Sequence, residues 1–439
     1  MGRRNRHRLG EFFGPLPVAS LSPRRGIHVR ALATTFESVS RSLCLRLCAA
    51  VCAVVSLAVA PANGAGGDGA PIYAVTGGMG DARISERDPR SLAQRGPAIR
   101  LDKWEFVAGL SPNGSLLALT AMNASPRSIR FLDVVRKRWR GGAVPLPTLG
   151  AGAVRWANDR TVIVLGERPD ALRAVYVDAE RRRVVRTVRI PGHLEAHYAE
   201  PTPAGMALLL RPLAFRQMGP VLVGVIRPSG AVKVVEIDRI VAGYVERARR
   251  PALIADPATS RAYVFGGLDE PVAEVDLRTL TVTYRTLRGI GPLAGTLGSD
   301  RHGTWVGPGR IAIVGFDDSR TATLRLGLSL VDTRTWRLRR IDRASDFMAR
   351  SGELLLGLRP DGSLVAFGVD GSRRFTLAEQ AFQVGAVAAN GRYVYGYNLA
   401  PGSKGTALVV DVRAGAITSW TQAPPFGSVL SPGFVVPGA

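Results

Sequence analysis

A repeated strand–aspartate–strand pattern constrains the fold of this chain more than any other feature of its sequence. Each copy is an apolar stretch that ends in Asp, followed by a short polar or basic turn and a second alternating stretch. Asp suits the end of a strand because its carboxylate accepts hydrogen bonds from the backbone of the following turn. The clear copies carry Asp133, Asp178, Asp276, Asp332 and Asp411, and looser copies lie near Arg227 and at Asp370.

A second element, a turn signal followed by an apolar run, alternates with the first along the chain. Examples are the segments SPNGSLLALT, WANDRTVIVL and ANGRYVYGY. The seven runs start at Leu116, Thr161, Met206, Ala262, Ile311, Leu354 and Tyr393, so that successive spacings are 45, 45, 56, 49, 43 and 39 residues. Two hairpin-like elements per period make four strands, and four short strands every ~40–50 residues are typical of a propeller blade.

The sequence therefore predicts an all-β protein, a seven-bladed β-propeller with four antiparallel strands per blade, over residues 97–427. A β-sandwich is the alternative, but a sandwich would not repeat seven times at this period. Residues 63–96 are expected to lead into the propeller, and a strand at 71–76 is a candidate to complete the last blade and close the ring. Trp139 and Trp336, which follow the hairpin Asp, are expected to pack between blades.

Short motifs in the repeats carry a family resemblance. SPNGSLLAL and RPDGSLVAF resemble the turn and strand of TolB-type propellers, and LVDTRTWRL and VVDVRAGAI resemble a hairpin of YVTN-type, surface-layer-like propellers. The repeated Trp-Asp and Gly-His signatures of intracellular WD-repeat proteins are absent, and Gly-His occurs once, at residues 192–193. The resemblance is at the level of single blades, and it implies a secreted bacterial propeller more than it implies an activity.

The first 62 residues differ from the rest and predict an N-terminal extension with a secretory signal. An uncharged apolar run of fourteen residues, from Leu47 to Ala60, follows Arg41 and Arg46 and ends in small residues. This run is shorter than the ~18–20 residues that span a bilayer, so a cleaved signal is favoured over a retained anchor or a buried helix. We expect an extracytoplasmic or secreted protein without disulfides, because all three cysteines lie within this extension. A start codon assigned too far upstream would explain residues 1–40, and residues 428–439 are expected to form a tail.

The formal charge of +23 would suit an anionic partner, and the alternative is that GC-rich coding produces such an arginine-rich composition without selection for a partner. Nine arginines and two glutamates fall within residues 1–62, so the chain beyond them carries +16. Its arginines are spread over every repeat and do not form one stripe interleaved with aromatic residues, which disfavours nucleic-acid binding. The expected partner is an anionic polymer of the cell envelope or an acidic protein surface. We expect a monomer that contacts the membrane only if its signal is not cleaved.

One group of titratable residues is a candidate metal or acid–base site. Counting back from the start of each second strand puts His197 and His302 nine residues away, and Glu105, Glu195 and Asp300 eleven residues away. Equivalent positions on inner strands converge on the channel of a propeller, where carboxylates and imidazoles could ligate a divalent metal. The alternative is that isolated polar side chains simply line a wet channel. A shift of one residue in the register would turn them to the other face.

No nucleophile elbow, P-loop, dinucleotide fingerprint or calcium loop is present, and no catalytic residue or cofactor other than a possible divalent metal is predicted. Long segments after the second strands place Arg211, Arg216, Arg320 and Lys404 on one face, where propellers often recognise ligands. A non-enzymatic recognition or scaffold module is the favoured hypothesis. A secreted hydrolase or lyase that uses the channel residues is the alternative.

Overall fold

The structure is a computed structural model. It describes residues 72–76, 82–102, 105–121, 127–148, 153–168, 170–192, 194–212, 218–244, 248–291, 296–377, 382–387, 392–398, 407–420 and 434–435. The predicted signal, Arg216, Lys404 and most of the predicted tail lie outside these residues. No helix long and apolar enough to cross a membrane is found within the described ranges.

The described residues form thirty-five strands in an all-β propeller fold, and the strands fall into eight units with four strand positions each. Unit 1 contains β1 (Ile72–Thr76), β2 (Arg83–Arg87), β3 (Ile99–Arg100) and β35 (Phe434–Val435). Unit 2 contains β4 (Glu105–Leu110), β5 (Leu116–Ala121), β6 (Ser128–Asp133), β7 (Arg138–Trp139) and β8 (Val144–Pro145). Unit 3 contains β9 (Ala153–Trp156), β10 (Thr161–Arg168), β11 (Ala171–Asp178) and β12 (Arg183–Pro191).

The next three units surround a connecting strand, β17 (Ala248–Arg250). Unit 4 contains β13 (Leu194–Thr202), β14 (Gly205–Pro212), β15 (Met218–Ile226) and β16 (Val232–Tyr244). Unit 5 contains β18 (Ala252–Ala255), β19 (Arg261–Phe265), β20 (Val272–Asp276) and β21 (Thr281–Arg285). Unit 6 contains β22 (Gly298–Gly307), β23 (Arg310–Asp318), β24 (Thr323–Arg325), β25 (Leu328–Asp332) and β26 (Arg337–Asp342).

Two further units complete the described chain. Unit 7 contains β27 (Phe347–Ser351), β28 (Leu354–Leu358), β29 (Leu364–Gly368) and β30 (Arg373–Leu377). Unit 8 contains β31 (Phe382–Val387), β32 (Tyr393–Asn398), β33 (Ala407–Asp411) and β34 (Ala416–Trp420). Units 2 to 8 correspond, one by one, to the seven repeats read from the sequence.

The sheets do not reproduce the predicted seven blades of four antiparallel strands each. Among the described residues, five sheets have four strands, one has five strands and one has ten. The ten-stranded sheet arises because β17 pairs with β16 of unit 4 and also, in parallel, with β22 of unit 6. The sequence pattern of an individual strand does not indicate that the strand pairs with two different units.

The predicted role of the strand near residues 71–76 also needs correction. β1 pairs with β2 and with β35, and in the described residues it has no ladder with unit 8. Three N-terminal strands therefore build a unit of their own, and the C-terminal strand supplies its fourth position. Unit 1 contains neither of the two repeated sequence elements, which is why the repeats did not reveal it.

A hydrophobic cluster of described residues separates each unit from the next, and one of these clusters lies between unit 8 and unit 1. Strand β1 shows how this arises. Ile72 and Ala74 pack with Tyr395 of unit 8, whereas Val75 packs with Leu117 of unit 2. Successive side chains of a strand point to opposite faces, so a strand buried on both faces reads as a continuous apolar run.

The hairpin aspartates act as the sequence predicts. Each clear copy accepts a hydrogen bond from a backbone N–H two or three residues further on. The residue four positions after the Asp then takes a left-handed conformation, with φ of 52° at Lys137, 52° at Arg182, 62° at Leu280, 56° at Trp336 and 63° at Gly415. The expected packing of Trp139 and Trp336 between units is also confirmed, because both lie in the clusters that separate units.

Candidate functional site at the inner strands

The three predicted carboxylates occupy equivalent positions on the first, innermost strands of their units. Each pairs with the residue five positions after the start of the apolar run in the second strand: Glu105 with Ala121, Glu195 with Arg211, and Asp300 with Phe316. The register that the sequence spacing gave for these residues is therefore correct. Equivalence alone does not bring the carboxyl groups together, and their contacts differ.

The predicted equivalence of His197 and His302 is wrong. The pairing of β13 with β14 passes from Ala196 directly to Tyr198, and the skipped residue His197 forms a β-bulge. A bulge adds one residue to one strand, so every later position shifts by one. Tyr198 therefore takes the position that His302 has in unit 6. The side chain of His197 lies outside the described part of the structure.

Arginines bind two of the carboxylates within their own units. The Glu105 side chain is 3% exposed and lies 3.1 Å from Nη1 of Arg130. The backbone N–H of Asp102 also donates to Glu105, at 2.9 Å. Burial raises the pKa of Glu105, and the hydrogen bond and the arginine charge act in the opposite direction. In unit 4, the guanidinium of Arg211 donates to Glu195, and both side chains are partly exposed.

Asp300 is the carboxylate that lies beside a predicted histidine. Its Oδ1 lies 3.3 Å from Nε2 of His302, and its Oδ2 lies 3.5 Å from Nη1 of Arg250. Arg250 reaches this position because β17 runs parallel to β22, with Arg250 directly opposite Asp300. The bridging strand that merges units 4 and 6 thus also places a cation at the site.

Tyr198 extends the contact between Asp300 and His302 into a chain of three side chains. The Tyr198 hydroxyl lies 3.3 Å from Nδ1 of His302 and 3.2 Å from the carbonyl oxygen of Arg301. Burial and the nearby Asp300 and Glu200 charges raise the pKa of Tyr198, so it remains a phenol that can donate one hydrogen bond. When that proton goes to the Arg301 carbonyl, the contact with His302 is a hydrogen bond only if Nδ1 carries a proton and donates to the phenol oxygen. The direction of these bonds therefore depends on which imidazole nitrogen carries a proton.

Glu200 lies on the same strand as Tyr198 and faces unit 5. It accepts a hydrogen bond of 2.9 Å from the backbone N–H of Ala255. Burial raises its pKa from 4.5 to about 7, although the hydrogen bond and the charge of Arg155 oppose that shift. Glu200 therefore changes its charge near neutral pH, where an acid–base group is most useful.

Two buried ion pairs hold the strands that carry the site. Arg301 and Asp317 form a salt bridge in which neither side chain is more than 2% exposed. Arg301 also donates to the carbonyl of Phe316 at 2.7 Å, and Asp317 accepts from the N–H of Leu268 at 2.7 Å. Burial raises the pKa of Asp317, while Arg301 opposes that shift. The second pair joins Arg249 to Glu270 at 3.0 Å.

The described residues contain no group of three or more His, Cys, Asp or Glu side chains placed to hold a metal ion. The structure brings together Asp300 and His302, and it keeps Glu105 and Glu195 apart from them in arginine pairs. Of the residues predicted to form a ligand face, Arg211 binds Glu195, and Arg320 is exposed in the segment between β23 and β24. The metal site stays a prediction, since His197 is not described beyond its backbone.

Sequence reasoning missed Tyr198, Glu200 and Arg250. Tyr198 and Glu200 stand in the segment HLEAHYAE that drew attention to His197, so a search that allowed a bulge could have found them. Arg250 lies in the run ERARRP, which carries no spacing that links it to another unit.

Comparisons with known proteins support the propeller fold and give no information on activity. No protein-family model matches the chain, and no curated protein is significantly similar to it. The solved structure of dihydro-heme d1 dehydrogenase NirN, in complex with DHE, superposes with a TM-score of 0.52 at 13% identity, covering 80% of this chain and 73% of that one. Such low identity shows a shared fold alone.

Two other solved structures superpose more loosely and support no argument about this chain. Hydrazine synthase of Kuenenia stuttgartiensis gives a TM-score of 0.40 at 13% identity and covers 80% of this chain and 95% of that one. The β-propeller domain of the trilobed protease of Pyrococcus furiosus, which has an open velcro topology, gives 0.38 at 11% identity and covers 68% and 88%.

Proposed function

We propose that the chain is an exported propeller of eight blades that serves as a non-enzymatic recognition or scaffold module for an anionic partner outside the membrane. Eight units, each separated from the next by a hydrophobic cluster, support the count of eight, because the cluster between units 8 and 1 closes the series. The ladder through β17 joins two blades at one edge and leaves the packing of unit 5 between them intact. Export rests on the apolar run from Leu47 to Ala60.

The arginine pairing of the equivalent carboxylates carries the proposal. Glu105, Glu195 and Asp300 each lie beside an arginine at the start of an inner strand. A carboxylate held in this way stabilises the position of its strand and offers fewer free oxygen atoms to a metal ion. Because such a carboxylate–arginine pair occurs in three units, we infer that the inner strands form a rigid framework and that exposed loops and grooves bind the partner.

An anionic partner is favoured by the formal charge of +16 that the chain carries beyond residue 62. Attraction between opposite charges raises the rate of encounter and weakens as salt screens it. The arginines are distributed over all repeats, which suits a long polymer better than a compact ligand. A polycarboxylate of an extracellular matrix or cell envelope has this chemistry.

The test measures retention of the purified full chain on beads coupled to polygalacturonate, with beads coupled to neutral dextran as the control. We expect retention on the polyanion at ~50 mM NaCl that falls steeply by ~500 mM, and none on dextran. Equal retention on both supports, or retention that does not change with salt, would contradict an electrostatic recognition function.

The chain of Tyr198, His302 and Asp300 favours a second candidate, a hydrolase or lyase that uses acid–base chemistry at the inner strands. A phenol that is hydrogen-bonded to an imidazole, with a carboxylate oxygen 3.3 Å beyond the imidazole, is a set of groups that can transfer a proton between steps. If polysaccharide or ester substrates are turned over, Tyr198→Phe and His302→Gln should each lower the rate ~100-fold or more. Unchanged turnover in both variants would refute this assignment.

A further inference from the structure

A groove between units 5 and 6 lies apart from the inner-strand residues described above. Its volume is about 380 Å³, and none of the residues that line it belongs to the Tyr198–His302–Asp300 chain. Binding sites for small molecules commonly have volumes of ~300–1,000 Å³, so the groove suits a ligand at the small end of that range. Residues of β19, β20, β21 and the turn before β19 form one wall, and residues of β22 and of the turns after β22 and β25 form the other.

Aromatic rings line the floor of the groove. Tyr263 and Trp305 are parallel within 5°, with ring centroids 6.2 Å apart, and Trp336 meets Tyr263 at 5.8 Å and 57°. Tyr263 and Trp336 are almost fully buried, at 3% and 8% exposure, whereas Trp305 keeps a partly exposed surface. Trp305 is therefore the ring that a ligand can contact, and the other two fix its position. A flat aromatic face suits the apolar face of a sugar ring or another planar group.

Charged groups stand around these rings. Glu274 lies between Arg261 and Arg285, with a nitrogen of each guanidinium 3.0 Å from one of its oxygens. The two arginine side chains are 58% and 42% exposed, and a guanidinium has five N–H donors, so each retains donors that Glu274 does not use. Asp256 also lines this wall, so the formal charges of the two arginines and the two carboxylates of unit 5 cancel, and a net positive charge of the groove depends on Arg334.

Arg334 supplies a further cation on the opposite wall. It is exposed in the hairpin after Asp332, and its guanidinium makes no hydrogen bond to another residue of the described ranges. The side chain lies against Gly309, where an added Cβ would approach Arg334 Nε to 3.3 Å. The absence of a side chain at this turn thus leaves room for Arg334 to lie along the groove. An arginine held in this way is suited to bind a carboxylate in a bidentate manner.

We infer that this groove binds one residue of an acidic saccharide, with the sugar ring against Trp305 and its carboxylate at Arg334. The inference rests on the proposed recognition function, for which it names one binding site and a ligand class. A neutral sugar would use the aromatic surface and leave the side-chain hydrogen-bond donors of Arg334 unused. A simple inorganic anion would bind Arg334 and leave the aromatic surface of Trp305 exposed to solvent. An acidic sugar uses both.

The test measures binding of trigalacturonate by isothermal titration calorimetry, with the neutral trisaccharide of galactose as the comparison ligand. Arg334→Gln removes the proposed carboxylate contact at an exposed position, so it should fold normally. Arg413→Gln is the matched control, because Arg413 also follows a hairpin Asp by two residues, in unit 8. We expect Arg334→Gln to weaken binding of trigalacturonate about tenfold or more, and Arg413→Gln to leave it unchanged.

Three results would overturn the inference: no binding of trigalacturonate, equal binding of the neutral trisaccharide, or equal loss in the two arginine variants. The bead assay separates these from failure of the proposed function. If Arg334→Gln is retained on polygalacturonate as strongly as the unmodified chain, recognition of the polymer stands and the groove is not its site. If neither protein is retained, the recognition function itself fails.

Discussion

Replacement of Glu200 by Gln should change how the stability of the protein depends on pH. Burial raises the pKa of Glu200 from 4.5 to about 7, so between these values the folded protein holds a proton that the unfolded chain has lost. The free energy of unfolding must then fall as pH rises through this window. Gln carries no charge at any pH, and its amide oxygen can still accept the hydrogen bond from Ala255.

The size of the effect follows from the same shift. A difference of roughly 2.5 pKa units at ~1.4 kcal/mol per unit amounts to about 3 kcal/mol. The variant should match the unmodified protein near pH ~4.5 and exceed its stability by up to about 3 kcal/mol near pH ~8. Urea unfolding at several pH values, followed by tryptophan fluorescence, measures this difference directly.

A pH-independent difference between Glu200→Gln and the unmodified protein would refute the argument, because it would show that Glu200 does not titrate within the window. Asp332→Asn provides a control of opposite sign. Hydrogen bonds from the turn backbone lower the pKa of Asp332, so its contribution is present at neutral pH and is lost as pH falls below the ordinary range of a carboxyl. Both variants should therefore match the unmodified protein at low pH and diverge from it at neutral pH with opposite signs, Glu200→Gln becoming more stable than the unmodified protein and Asp332→Asn less stable.

Three further variants test the packing that holds the site. Arg301→Met should lower the free energy of unfolding by ~3–5 kcal/mol in urea, because the buried Asp317 loses its cation and either stays charged and unpaired or takes up a proton at a cost; a loss below ~1 kcal/mol would contradict the ion pair. Tyr395→Phe removes a 3.1 Å bond to a backbone carbonyl of unit 1 and should cost about 1 kcal/mol in thermal unfolding, with no change expected if that bond is absent. Gly205→Ala should reduce soluble yield, because Gly205 has a φ of 126° and a Cβ there would lie 2.2 Å from the backbone oxygen of Ile226. A normal yield would refute this turn geometry.

The fold was predictable where the sequence repeats and unpredictable where it does not. Apolar runs and hairpin aspartates located units 2 to 8, because each strand shows its buried faces and each hairpin needs a residue that caps the turn. Unit 1 lacks both signals, and its fourth strand lies at the other end of the chain. The bridge through β17 depends on backbone pairing between distant segments, which side-chain patterns do not reveal.

The candidate site was predictable in register but not in contacts. Counting from the second strands placed Glu105, Glu195 and Asp300 at equivalent positions because each of the three strands contains one β-bulge between its carboxylate and the hairpin, so all three counts shift by the same one residue. The same count failed at His197, since a bulge is a local backbone irregularity that side-chain identity does not specify. The ion pairs with arginine were not predicted either, because the chain has so many arginines that the sequence does not indicate which one pairs with a given carboxylate.

The pairing of β1 with β35 makes the order of synthesis matter for this protein. Ala74 bonds across the sheet with Phe434, roughly 360 positions later, so this ladder is among the least local contacts that the chain can form. Units 2 to 7 can assemble as their residues emerge, but unit 1 stays one strand short until the last residues are available. A chain moving through a translocation pore would remain open at this seam until its final segment arrives, and a fragment cut short anywhere upstream would expose the apolar edge of β1 to other chains.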